Sequence, residues 1–149
     1  MNIPKIIQEQ KSYFASQQTK DISKRKALLK KLLSEILHRE KDIINALYAD
    51  FKKSEYESVM TETSIVISEL KRTIKNIKNW SKPQMVVPAF LNFPSSSKIY
   101  KEAYGTVLII SPWNYPYQLA FVPLIGAIAA GNTAIIKPSE LTPNTSKIT

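Results

Sequence analysis

Between Ile3 and about Trp80 the apolar residues recur every three or four positions, the spacing that puts them on one face of a helix. The clearest stripe runs Leu29, Leu32, Leu33, Ile36 and Leu37 and continues through Ile43, Ile44, Leu47 and Phe51, with Lys, Arg and Glu between. Asp21 offers the short carboxylate that an N-cap needs, and His38 to Lys41 reads as a kink or break. A further helix carries Met60, Thr63, Ile67, Leu70, Ile74 and Ile77, and Pro83, which has no backbone N–H, marks its end. The pattern predicts an amphipathic helical segment over residues 1–82.

The character then changes twice. Residues 83–104 begin with linker composition (Pro83, Pro88, Pro94, Ser95-Ser96-Ser97) and close on Lys98 to Tyr104, which alternates like a half-exposed bridging strand. From Ala103 to Ile136 no residue is charged, which implies burial. Thr106 to Ile110 and Thr133 to Ile136 are short runs rich in β-branched residues, and the helix-length stretch Tyr117 to Ala130 separates them. That order predicts a β-α-β unit with a right-handed crossover, its strands buried on both faces of a parallel sheet. Pro116 suits a first helical turn, Pro123 predicts a kink, and Gly131 is placed as a C-cap. A membrane span needs roughly 20 uninterrupted apolar residues, more than this proline-interrupted stretch provides. Thr142 and Pro143 read as the N-cap and first residue of another helix, inside which the chain stops. A helix begun and abandoned buries little, so a longer polypeptide is expected. The expected fold class is α/β: amino-terminal amphipathic helices, a strand, and the first β-α-β of an incomplete Rossmann-like parallel sheet over residues 105–149.

Composition removes several chemistries. The net charge of +9 would suit nucleic acid or an anionic membrane surface. However, most of the Lys and Arg share residues 1–82 with most of the Asp and Glu, signs interspersed, so a solvated helical face accounts for it and no nucleic-acid partner is expected. The chain has no cysteine, which excludes disulfides, thiolate metal sites and a cysteine nucleophile within these residues. His38, the single histidine, has no evident partner for a metal or for proton transfer, so no metal site is expected. No secretory leader opens the chain, which makes a cytoplasmic setting the expectation.

In an open parallel sheet, ligands bind outside the carboxyl ends of the strands. Two polar clusters fall there: Ser111 to Asn114 after the first strand and Lys137 to Glu140 after the second. An acidic residue and a neighbouring Lys at a second strand's end can hydrogen-bond an adenosine ribose. With only 3 glycines, the standard glycine-rich phosphate turn is excluded. Spacing alone reads Asn114 as an N-cap or turn former, Lys137 and Glu140 as a surface pair, and Trp113 as core. Pattern reasoning stops at a β-α-β unit able to bind a nucleotide.

The stretch Gly105-Thr-Val-Leu-Ile-Ile-Ser-Pro-Trp-Asn-Tyr-Pro116, with Gly126-Ala-Ile-Ala-Ala-Gly-Asn132 and Lys137-Pro-Ser-Glu140, resembles the aldehyde dehydrogenase superfamily. It is most similar to the class-three and fatty-aldehyde branch, which carries a Pro at the position of Pro123. Asp50-Phe51-Lys52-Lys53-Ser54 and Ile77-Lys78-Asn79-Trp80-Ser81-Lys82-Pro83 are similar to that branch too.

The resemblance implies NAD(P)-dependent oxidation of an aldehyde to a carboxylic acid, through cysteine attack, hydride transfer and thioester hydrolysis. It implies that Asn114 holds the substrate oxygen as negative charge develops there, which is worth about 3–4 kcal/mol of barrier. It assigns the adenosine ribose to Lys137 and Glu140 with Ser139 beside them, the cofactor wall to Ile110, Ser111, Pro112 and Trp113, and the substrate tunnel to Tyr115. A carboxylate at Glu140 favours NAD, although the branch also accepts NADP. The nucleophilic Cys, the general-base Glu and a downstream glycine motif lie beyond Thr149 in the family, so residues 105–149 are expected to start an NAD(P)-binding domain and the chain alone to be inactive. The same resemblance implies a homodimer, with Ile99 to Tyr104 similar to a strand used in assembly, and in some members a carboxyl-terminal membrane anchor. The alternatives are a non-catalytic helical module whose basic face binds an acidic partner, and a truncated paralogue that mixes into dimers of the full enzyme.

Overall fold

The computed structural model describes residues 2–149; Met1, at the head of the leader reading, lies outside them. Helix α1 (Ile3–Ala15) starts at Asn2, whose Oδ1 accepts the Lys5 N–H at 3.1 Å. Asp21 caps α2 (Ile22–His38) as expected, accepting the backbone N–H groups of Ser23 at 2.7 Å and Lys24 at 3.4 Å. The helix breaks at Arg39, within the stretch the sequence marked, and α3 (Glu40–Phe51) ends at Lys52 in the left-handed region, φ 59°.

The segment from Glu55 to Trp80 is helical throughout but not uniformly α: α4 (Glu55–Ser58) passes through a π turn at Val59–Thr63 into α5 (Ser64–Trp80). A π turn widens the helix by one residue and re-aims the side chains around it. Glu62 and Thr63 both become fully buried, in line with Val66, Leu70, Thr73 and Ile77, while Met60, expected on the apolar stripe, is exposed. Thr63 satisfies its hydroxyl by donating to Glu40 Oε1 at 2.7 Å.

Downstream, β3 (Thr106–Ile110), α6 (Pro116–Ala130) and β4 (Thr133–Lys137) form the expected β-α-β, the strands parallel with Thr106 opposite Thr133 and Ile110 opposite Lys137. Helix α6 runs through Pro123 as one element. Gly131 closes it at φ 91°, where an added Cβ would also lie 3.2 Å from the Thr19 carbonyl oxygen. Leu29 and Ile36 of α2, Ile43 and Leu47 of α3, and Val66, Leu70 and Ile77 of α5 form one core with Tyr117, Ala120, Phe121 and Ile125 of α6. Burying each large apolar side chain is worth about 1.5–3 kcal/mol, so the helical layer and the β-α-β are one packed unit.

Two expectations are corrected. The strands are not buried on both faces: Leu108 and Ile110 are 60% and 69% exposed, because alternation turns them away from buried Ile109 and, among the described residues, the packing on the strand pair comes chiefly from α1 and α6. The bridging strand is shorter than Lys98 to Tyr104: β2 (Ser97–Ile99) pairs antiparallel with β1 (Gln84–Val86), whose length is limited by Pro83 and Pro88 on either side.

The last helix, α7 (Pro143–Ile148), begins after Thr142, but Asp50 of α3 does the capping. Its Oδ1 accepts the Asn144 N–H at 3.1 Å and the side-chain amide at 2.8 Å, and its Oδ2 accepts the Thr145 N–H and hydroxyl at 2.8 Å each. Partial burial pushes the Asp50 carboxyl up, but the hydrogen bonds from Thr145 and Asn144 together outweigh it and hold the group below the usual range. A depressed native-state value stabilises the fold above the ordinary Asp pKa and is lost as pH falls through the depressed one. Asp50→Asn should therefore cost about 1–2 kcal/mol at pH 7 in urea unfolding, and the difference from wild type should shrink below about pH 4.

Candidate active site

The parallel register brings both loops predicted to carry chemistry to one edge of the strand pair. Ile110 lies opposite Lys137, and the Ser111 N–H donates to the Lys137 carbonyl at 3.0 Å, one residue past the strand. Buried Ser111 also donates its hydroxyl to the Pro116 carbonyl at 2.9 Å, tying together the two ends of the loop between β3 and α6. A hydrogen bond of this kind holds a five-residue excursion in one shape. Pro112, Trp113, Asn114 and Tyr115 are left exposed at its tip.

Asn114 is not a helix cap. Tyr115 holds the cap position of α6 and makes no side-chain cap bond, and the Asn114 carboxamide has no partner among the described residues. The amide group is displayed, not consumed in holding the backbone.

What satisfies the start of α6 is Glu62, from the π turn. Its Oε2 accepts the backbone N–H groups of Tyr117 at 3.1 Å and Gln118 at 2.9 Å, and its Oε1 accepts from Lys53 Nζ at 2.7 Å. A carboxylate there meets the positive end of the helix dipole and two otherwise orphan donors. Lys53 Nζ also donates to the Asn114 carbonyl at 3.3 Å and lies 4.5 Å from the Tyr115 ring centroid. Lys53 is 8% exposed and Glu62 fully buried. Sequence reasoning passed over both as site residues. Glu62 did leave a signal, since it falls on the same helical face as Val66, Leu70 and Ile77, where a solvated carboxylate does not belong.

Lys137 Nζ hydrogen-bonds Glu140 Oε2 on the open surface, and that bond holds the Glu140 carboxyl below its usual range. The pair partners only itself among the described residues, leaving one carboxylate oxygen and further ammonium N–H groups available. Ser139 is different. It is buried, with its Oγ accepting the Leu141 N–H at 3.2 Å and its carbonyl accepting from Ser146 at 2.6 Å, so it shapes the turn that presents its neighbours. Ile110 and Trp113 are 69% and 54% exposed beside this edge.

A cavity of about 470 Å³ lies at the amino ends of the strands among Phe14, Arg25, Trp80, Glu102 and Gly131, and no predicted site residue lines it.

Among known proteins, the aldehyde dehydrogenase family profile matches residues 1–149. The 4,4'-diaponeurosporen-aldehyde dehydrogenase of Staphylococcus aureus is 55% identical over 140 residues, which is 94% of this chain and 30% of that protein. The chloroplastic aldehyde dehydrogenase family 3 member I1 of Arabidopsis thaliana is 41% identical over 143 residues, 96% of this chain and 26% of its own length. The solved substrate-bound state of Staphylococcus aureus AldH is similar with a TM-score of 0.95 at 54% identity, covering 99% of this chain and 32% of that one. The chain thus spans less than a third of the length of the curated relatives it matches.

Proposed function

The chain belongs to the aldehyde dehydrogenase family, and we propose that it forms the amino-terminal part of an enzyme that oxidises an aldehyde to a carboxylic acid with NAD or NADP. The observation that carries this reading is the displayed carboxamide of Asn114, on a loop pinned at both ends, at the same sheet edge as Lys137 and Glu140. When a nucleophile adds to an aldehyde, the carbonyl oxygen gains negative charge. A neutral amide N–H already aimed at that position stabilises the charge without reorganising, and without a proton to lose as pH changes.

Lys137 and Glu140 suit the hydroxyls of an adenosine ribose, one donating and the other accepting. The dinucleotide, when bound, supplies the hydride acceptor. Ile110, Ser111, Pro112 and Trp113 are proposed as the wall along it, Ser139 as the residue that shapes the turn beneath it, and Tyr115 as a lining of the substrate path. The α6 N-terminus is already taken by Glu62, which agrees with the lack of a glycine-rich phosphate turn: the ribose, not the pyrophosphate, is where this segment grips the cofactor. With no cysteine in these residues, a cysteine nucleophile has to come from outside them; the general base is proposed to lie outside them too, and the isolated chain to be inactive. Residues 1–82 then serve as a helical support, residues 83–104 as linker and bridging strand, and residues 105–149 as the opening of the cofactor domain, in a cytoplasmic homodimer.

Asn114→Ala in the full-length enzyme should lower kcat about 10²- to 10³-fold with little change in KM, measured by steady-state NADH production. Unaltered kcat would refute the oxyanion role. Removing the carboxylate with Glu140→Gln should shift the ratio of kcat/KM for NADP over NAD upward by about ten-fold, since a 2′-phosphate no longer meets a like charge. A ratio that stays put removes Glu140 from the ribose.

A further inference from the structure

Lys53 and Glu62 form a buried ion pair that the chemistry above does not use. We infer that Lys53 is a positioning residue for Asn114, locked in place by Glu62, and that the pair sets the orientation of the oxyanion donor. The inference rests on the reading of Asn114 as that donor.

Three segments distant in sequence converge on one ammonium. Lys53 comes from the turn between α3 and α4, Glu62 from the π turn, and Asn114 with Tyr115 from the loop before α6. Lys53 Nζ spends one N–H on Glu62 Oε1 at 2.7 Å and reaches the Asn114 carbonyl at 3.3 Å. The Tyr115 and Phe51 ring centroids lie 4.5 and 5.2 Å from it. Glu62 is in turn fixed by the Tyr117 and Gln118 N–H groups, so the ammonium is located relative to α6 and cannot drift.

Stability alone is a poor reason for such an arrangement. Desolvating two charges costs about as much as their attraction returns, and apolar side chains of similar volume commonly do as well. What an apolar pair cannot do is hold a backbone carbonyl at a set point. With its carbonyl held by Lys53 and the next residue's ring packed on the same ammonium, the Asn114 backbone is anchored, and only two side-chain torsions then decide where its amide reaches. A misplacement of about 1 Å in such a donor costs about 10²-fold in rate.

The test is a double-mutant cycle in the full-length enzyme, reading kcat and KM separately. Lys53→Met keeps the apolar stem and removes the N–H donors. It should lower kcat about ten-fold with KM altered by less than about two-fold, and should add little further loss in an Asn114→Ala background. An equal loss in both backgrounds means that Lys53 acts elsewhere and overturns the inference, as does an unchanged kcat for Lys53→Met. If instead Asn114→Ala itself leaves kcat intact, the oxyanion reading fails first, and the inference with it. Should Lys53→Met fold poorly because Glu62 is left uncompensated, the pair Lys53→Met with Glu62→Gln removes both charges, and the same comparison is made with it. The inference expects the same non-additive loss there, and full activity of the folded pair would overturn it.

Discussion

The carboxylate of Glu62 meeting the first amides of α6 is the contact on which the arrangement of the site depends. It joins the helical layer to the β-α-β at the point where the loop from β3 enters its helix, and through Lys53 it reaches the backbone of Asn114. Removing it would leave two backbone donors unsatisfied, each costing about 1–3 kcal/mol, and a buried ammonium without its counter-charge. Apolar packing of α2, α3 and α5 on α6 supplies the bulk of the cohesion, but it does not specify which way a loop residue points. The polar contact does.

A second carboxylate repeats the device. Asp50 takes the first amides of α7, as Glu62 takes those of α6, so each helix that follows a strand of the pair is fastened by an acid from the helical layer. In glycine-rich nucleotide-binding folds, the first such helix start is where a phosphate sits. Here that start is occupied by protein, and the remaining polar groups at the strand ends, Lys137 and Glu140, suit hydroxyls. The helical layer therefore supports the sheet and, on the proposed reading, also decides which part of a dinucleotide this segment would hold.

The fold was legible where local chemistry and global packing agree. Alternation of apolar runs with turn residues marked β3, α6 and β4, the C-cap at Gly131 followed from its glycine, and Asp21 capped α2 as its position suggested. Illegible were the features set by tertiary contact. Across the π turn Met60, which the apolar stripe placed inward, faces outward, a shift that the stripe's fixed period of 3.6 does not anticipate. Asp50 displaced Thr142 from the capping of α7 from 94 and 95 residues away in sequence. Asn114, read from spacing alone as a cap, is displayed instead, because a displayed amide and a capping amide have the same sequence signature. The exposed Leu108 and Ile110 show the opposite failure: an uncharged run implies burial somewhere, and nothing within these residues provides it.

The most direct test of the account is the position of the Asn114 amide nitrogen in a crystal structure of the full-length enzyme with an aldehyde substrate in place. The account predicts that nitrogen about 2.7–3.1 Å from the substrate oxygen, with the Lys53 contact to the Asn114 carbonyl intact. A carboxamide turned back onto the start of α6, with the substrate oxygen bound by other groups, would contradict it.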